Sequence, residues 1–167
     1  MSQEIINRVA KSKLKTIDLD FFCPKTERIS FDIKPWLKDE LFLLEKDFRK
    51  KVENFEWQNF NTKAVFIICS NDAIIPDWAF ILVSSQLNNQ GIINVIGSKE
   101  VLDIKLITDS INTFDFSIYK DKPVIIKGCS DQKIPLSAYS VLLEKLQHHA
   151  KSIMFGEACS SVPIYKS

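Results

Sequence analysis

The rhythm of hydrophobic and polar positions changes twice along this chain. Residues 14–22 (LKTIDLDFF) and 27–33 (ERISFDI) alternate apolar with polar side chains, the period of a half-buried strand. The CPKT between them carries turn chemistry, so residues 1–35 are expected to hold an antiparallel strand pair. After Pro35 the period lengthens. Leu37, Leu41, Leu44, Phe48, Val52 and Phe55 recur at steps of three or four, which predicts one amphipathic helix with all six on a single face. From residue 63 the pattern is strand, helix, strand, helix. Lys63–Cys69 (KAVFIIC) and Lys122–Lys127 (KPVIIK) are short, β-branched and apolar on both faces, as buried parallel strands must be. Residues 91–96 and 152–155 are weaker examples. Helices are predicted at about Pro76–Leu87, Lys99–Phe114 and Pro135–His149. The expected architecture is one α/β domain over residues 1–167: the strand pair at 1–35, then strand–helix repeats at 36–167. Those repeats predict a mainly parallel sheet with helices on both faces.

Two segments echo one another. VFIICSNDAIIPDWAF and VIIKGCSDQKIPLSAY share an apolar strand, Cys-Ser, an acid, Ile-Pro, an alanine and an aromatic. A faint duplication fits this. So do two strand-to-helix turns with the same geometry, each with proline in the first helical turn, where its missing N–H costs nothing. The second reading is the simpler.

Composition narrows the function classes. A net charge of +1 gives no electrostatic case for nucleic acid or a membrane surface as partner. The amino-terminal MSQEIINRVAKSKLK lacks the apolar core of a secretion signal, and the apolar runs are too short to span a bilayer. A cytoplasmic protein with reduced cysteines is therefore expected. Four cysteines are too few for a disulfide scaffold, so their functional reading is thiol or metal chemistry, against the plain alternative of small buried hydrophobes. Neither GxxxxGK[ST] nor GxGxxG occurs, and no nucleotide cofactor is expected. His148 and His149 close a predicted helix, at the far edge of the sheet from the strand ends, so no histidine is expected beside a cysteine there.

The cysteines are the strongest chemical signal. Cys69 closes one predicted strand, Cys129 follows another after Gly128, and Cys159 follows a third after Gly156. In open parallel sheets ligands bind outside the carboxyl ends of the strands. Three thiolates there, with Asp72, Asp131 or Glu157 completing the shell, suit zinc, iron or part of an iron–sulfur cluster. Lys127, Gly128 and Gly156 are candidate cofactor-binding positions: a cation beside a thiolate, and two glycines that permit close approach. The spacing contains no CxxC pair. Nothing in the sequence places Cys23 near the other three.

The chain resembles domain-of-unknown-function family 2480, a bacterial family, nearly end to end. The likeness is carried by IDLDFFCPKTERISFDIKPWL, CSNDAIIPDWAF, KGCSDQKIPLSAY and AKSIMFGEACSSVPIYK. Cys69, Asp72, Pro76, Trp78, Lys127, Gly128, Cys129, Pro135 and Tyr139 match the family pattern, as do Gly156, Glu157, Cys159, Pro163 and Tyr165. Cys23 departs from it, since an aromatic is usual there. The resemblance brings no activity. Genes of the family lie near iron–sulfur assembly genes in some genomes, which implies an iron- or sulfur-related role and assembly proteins as partners. Three readings stand: a metal or cluster site, a thiol or persulfide carrier, and a non-catalytic homodimeric interaction module.

Overall fold

The computed structural model describes residues 14–128, 134–157 and 159–167. In chain order the first elements are β1 (Lys15–Ile17), β2 (Glu27–Asp32), α1 (Glu45–Asn54) and β3 (Lys63–Ile68). There follow α2 (Asp77–Asn89), β4 (Asn94–Ile96), α3 (Lys99–Thr113) and β5 (Pro123–Ile126). The chain ends with α4 (Leu136–Gln147), β6 (Ser152–Glu157) and β7 (Ser160–Lys166). It divides into two compact units. Lys25–Lys105 form a central unit, and the residues up to Pro24 join Leu106–Ser167 in a terminal unit.

The α/β class is as expected, but the strands form two sheets rather than one. The central unit has β2-β3-β4, all parallel; the terminal unit has β1-β5-β6-β7, parallel except for the antiparallel β6–β7 pair. The expected amino-terminal strand pair does not form. β1 and β2 each add in parallel to a different apolar strand, β5 and β3 respectively. The cause is local: Asp18 turns the chain into a 3₁₀ turn at Leu19–Phe22, which leaves β1 only three residues long. The long helix also shortens. Asp39 and Glu40 take left-handed backbone angles and Lys38 bridges to Phe42, so the helix begins only at Glu45. Phe48 and Val52 are buried as the period predicts, whereas Leu41 and Leu44 are exposed. β7 has no counterpart among the expected elements.

Each unit has its own core. α2 buries Ala79, Val83 and Leu87 against Val65, Ile67 and Phe31; α4 buries Ala138, Leu142 and Leu146 against Val124, Ile126 and Ile17. In both helices the buried positions recur every four residues, which keeps them on one stripe. The central core also holds one buried amide. Asn94 accepts from Ser84 at 2.6 Å and donates to Asn88 and to the Ile92 carbonyl at 2.8 and 3.0 Å.

The two units follow one plan. Val65, Phe66 and Ile67 lie opposite Asn94, Val95 and Ile96, and Val124, Ile125 and Ile126 lie opposite Ile153, Met154 and Phe155. Residues 59 apart thus take equivalent places, and the same separation holds without insertion from Trp57 and Phe116 to Gly97 and Gly156. It pairs the left-handed residues Thr62 with Asp121 and Gly97 with Gly156. It also pairs Pro76 with Pro135, which cap α2 and α4 at φ −61° and −62°. The first strands repeat as well: Ile29, Ser30 and Phe31 hold the places against β3 that Lys15, Thr16 and Ile17 hold against β5. The echo is therefore a whole repeated unit, wider than two turns of like geometry. Past the paired glycines the copies diverge: the central chain enters α3, the terminal chain returns as β7.

That divergence gives the paired glycines different surroundings. Both have φ near the glycine-only range, +138° for Gly97 and +121° for Gly156. A Cβ at Gly97 meets nothing closer than the Val101 side chain at 3.5 Å, whereas at Gly156 it meets the Ser160 carbonyl oxygen at 2.6 Å. Gly97→Ala is expected to cost the backbone strain alone, about 1–3 kcal/mol. Gly156→Ala must also move the β6–β7 turn and is expected to lose clearly more in denaturant unfolding; equal losses would contradict this geometry.

Candidate functional site

The carboxyl ends of the parallel strands were the expected place for chemistry, and the two units dress those ends differently. In the terminal unit β1 ends at Ile17 and the chain turns at Asp18. One oxygen of its carboxylate accepts from the Asp20 amide at 3.0 Å, and the other pairs with the Lys127 ammonium at 3.2 Å. Lys127 follows β5, its own amide held by the Ile17 carbonyl at 2.9 Å. Gly128 comes next against the strand beside it: a Cβ there would stand 3.2 Å from the Phe155 ring and 3.4 Å from the Gly156 Cα. The absent side chain is thus what lets the chain leave β5 close along β6.

Tyr139, on the first turn of α4, packs edge-on to Phe155 with ring centroids 5.8 Å apart. Burial pushes its phenol pKa up, and the negative charges of Asp18 and Asp20 and the nearby Cys23 add to that. At neutral pH Tyr139 therefore keeps its proton and remains a hydrogen-bond donor. Glu157 is the last residue of β6, paired in register with Ser160, and Cys159 lies exposed in the connecting turn. Cys129 and Asp131 lie outside the described residues.

The central unit arranges its strand ends around Asp32, fourteen residues after Asp18. The same carboxylate oxygen accepts from the amide two residues on, here Lys34 at 3.0 Å, and also from the Ser70 amide at 3.1 Å. Cys69 follows β3 and its thiol donates to the Asn71 side-chain carbonyl at 2.9 Å, which also accepts from the Ala73 amide. Asp72 is exposed on the rim of an open groove lined by Leu41, Phe42, Leu44 and Ile74.

This placement changes the cysteine pattern. Cys69 and Asp72 leave one sheet, while Lys127, Gly128, Glu157 and Cys159 leave the other, so the expected single sheet edge is replaced by two. The Cys-Ser echo is also out of step by one residue. At the common separation Cys69 stands where the terminal unit has Gly128, and Ser70 stands where it has Cys129. Among the described residues no group of three or more His, Cys, Asp or Glu side chains is placed to hold a metal ion. Cys69 also already donates its thiol proton to Asn71, a bond a metal ligand would have to surrender. His148 caps α4, and the chain enters β6 at Ser152, so both histidines lie at the strand starts, opposite the carboxyl ends. Asp18 was not singled out by sequence reasoning, although TID at residues 16–18 and SFD at residues 30–32 repeat the strand-plus-aspartate pattern.

Together these features define a repeated α/β protein whose two halves share a scaffold and differ at its strand ends. The chain belongs to the family described as protein of unknown function (DUF2480), whose model matches residues 3–167. No curated protein and no solved structure matches it. Among the described residues no helix is long and apolar enough to cross a membrane.

Asp32 gives the scaffold a pH dependence. Burial opposes ionisation of its carboxyl, but the hydrogen bonds from Ser70 and Lys34 outweigh it and hold the pKa below the usual carboxylate value. A depressed native pKa stabilises the fold above the unfolded value, about pH 4, and that contribution is lost as pH falls through the native value. Asp32→Asn is therefore expected to lower stability at neutral pH and to flatten the acid limb of the stability curve below about pH 4. Chemical denaturation between neutral and acid pH measures both, and an unchanged acid limb would refute the assignment.

Proposed function

We propose that this is a cytoplasmic protein with a thiolate site at the carboxyl edge of the β1-β5-β6 sheet, binding a zinc or iron ion or an iron–sulfur cluster. The donors are Cys129 and Cys159, with Asp131 or Glu157 completing the shell. The observation that supports this reading is the parallel pairing of β5 with β6, in which Ile126 lies opposite Phe155. Cys129 follows the last β5 residue by three positions and Glu157 follows Phe155 by two, so their segments depart from neighbouring points. Gly128, set against Phe155 and Gly156, keeps them together at the start. Bound there, zinc would supply a Lewis-acid centre and iron a redox one. The chain's own part is to hold thiolates reduced and side by side. Cys69 and Asp72 lie outside this donor set, because they belong to the central unit and Cys69 is engaged by Asn71.

Elemental analysis of protein purified without chelator is the direct test. Near-stoichiometric zinc or iron is expected in the native chain and in Cys69→Ser, and its loss in Cys129→Ser and Cys159→Ser. Metal-free native protein would overturn the reading. If one cysteine then alkylated far faster than the others near neutral pH, thiol chemistry would take its place.

A further inference from the structure

Four large apolar side chains of the central unit stay bare around one open groove of about 700 Å³: Leu41, Phe42, Leu44 and Ile74. Phe42 is 61% and Ile74 95% exposed. By spacing alone, Leu41 and Leu44 belong on the buried stripe of a helix with Phe48 and Val52. Asp39 and Glu40 prevent this by taking left-handed backbone angles, which residues other than glycine seldom adopt. The turn that results is closed at its base. Lys38 and Phe42 exchange backbone hydrogen bonds at 2.8 and 2.9 Å, so Leu41 and Phe42 are held outward. Lys34 pairs with Glu40 at 3.0 Å. The Asn71 side-chain amide donates to the Glu40 carbonyl, which ties the turn to the segment carrying Asp72 and Ile74. Both stretches that line the groove are thus fixed to one another.

Contiguous bare apolar surface on a folded domain marks a place where something docks. Covering these four side chains removes on the order of 500 Å² of apolar surface per copy, whereas a standard interface buries about 800 Å² per partner, a little over half of it apolar. The patch is therefore the size that a stable protein dimer needs. It also has the self-complementary form of a two-fold interface, since an outward apolar turn and a groove able to receive it lie side by side. Its charges are of both signs: Lys38 and Asp39 on the turn, and Asp72 at the rim, all exposed. Among the described residues none of these three forms a salt bridge. A nucleic acid or an anionic membrane calls for a cationic rim, and this rim sets one lysine against two aspartates.

We infer that this groove is the contact face of a homodimer. The Leu41–Phe42 turn of each copy seats in the groove of the other beside Ile74, and Lys38 faces the partner's Asp72. Two-fold symmetry makes that ion pair twice, from charges that a single chain leaves unpaired. All of these residues belong to the central unit, so the contact stands or falls apart from the thiolate site.

Sedimentation velocity of the full-length chain over a concentration series measures the dimer Kd. The native chain is expected to reach twice its 19.2 kDa mass. Phe42→Glu and Ile74→Glu each put a carboxylate at the centre of the contact and are expected to weaken the dimer about a hundredfold. Both positions are bare in the single chain, so far-ultraviolet circular dichroism should be unchanged. Lys38→Glu alone and Asp72→Lys alone should each weaken the dimer about tenfold. The two together restore opposite charges across the contact and should recover most of that loss. A native chain that stays monomeric at the highest concentration reached would overturn the inference and leave the groove to a different protein. A dimer that Phe42→Glu and Ile74→Glu leave intact would place the contact elsewhere and overturn it as well. Failure of the double charge exchange to restore affinity would refute the pairing of Lys38 with Asp72, and with it this two-fold seating.

Discussion

The arrangement depends on one short apolar strand in each half, β3 and β5, hydrogen-bonded along both sides to strands that run in its own direction. Parallel neighbours cannot be joined by a tight turn, so every connection must cross back over the sheet. All the carboxyl ends therefore open at one edge of each sheet, where the backbone leaves regular pairing and needs other partners. The aspartates meet part of that need. Asp18, one residue past β1, and Asp32, the last residue of β2, each accept from the amide two residues on. Asp32 reaches across to the Ser70 amide as well, tying the exit of the outer strand to that of the middle one. Packing of α2 and α4 through matched alanine and leucine or valine positions completes a scaffold that can be built twice from different sequences.

A fold present in two copies separates stability from chemistry more cleanly than a single domain does. The central unit keeps the prolines, the left-handed residues and the buried helix stripe, yet ends its middle strand with isoleucine, cysteine and serine. The terminal unit ends its own with lysine, glycine and cysteine. The Lys127–Asp18 pair is partly exposed on both sides and contributes little to folding in water. The other copy has Ile68 in the place of Lys127 and folds without the pair.

Much of this was legible in the sequence. The apolar runs of β3 and β5, the helices after Pro76 and Pro135, and the placement of Cys69 and Cys159 just past strand ends all follow from period and turn chemistry. Three features did not. Alternation in residues 14–22 and 27–33 marks strands but carries no information about partners, and the partners proved to be 36 residues away for β2 and 109 for β1. The stripe from Leu37 to Phe55 fits a helix in spacing, yet Asp39 and Glu40 in the left-handed region break it, and nothing in their side chains announces that. The Cys-Ser repetition drew the eye to a one-residue misalignment. Strand register sets the true correspondence, and by it Cys69 matches a glycine.

The buried amide of Asn94 has a consequence for how such a chain assembles. Strands that occupy equivalent places in two similar sheets are nearly interchangeable, and a folding chain must choose among them. In the place of Ile153, fully buried in an apolar core, the Asn94 side chain would lose Ser84, Asn88 and its carbonyl partner together. A buried amide left without partners costs about 1–3 kcal/mol, enough to disfavour the exchange by about fivefold to a hundredfold. Ile153 in the reverse position would take away the acceptor of the half-buried Ser84 hydroxyl in turn. One polar side chain thus acts as an address label, directing β4 to its own half of a molecule built twice on one pattern.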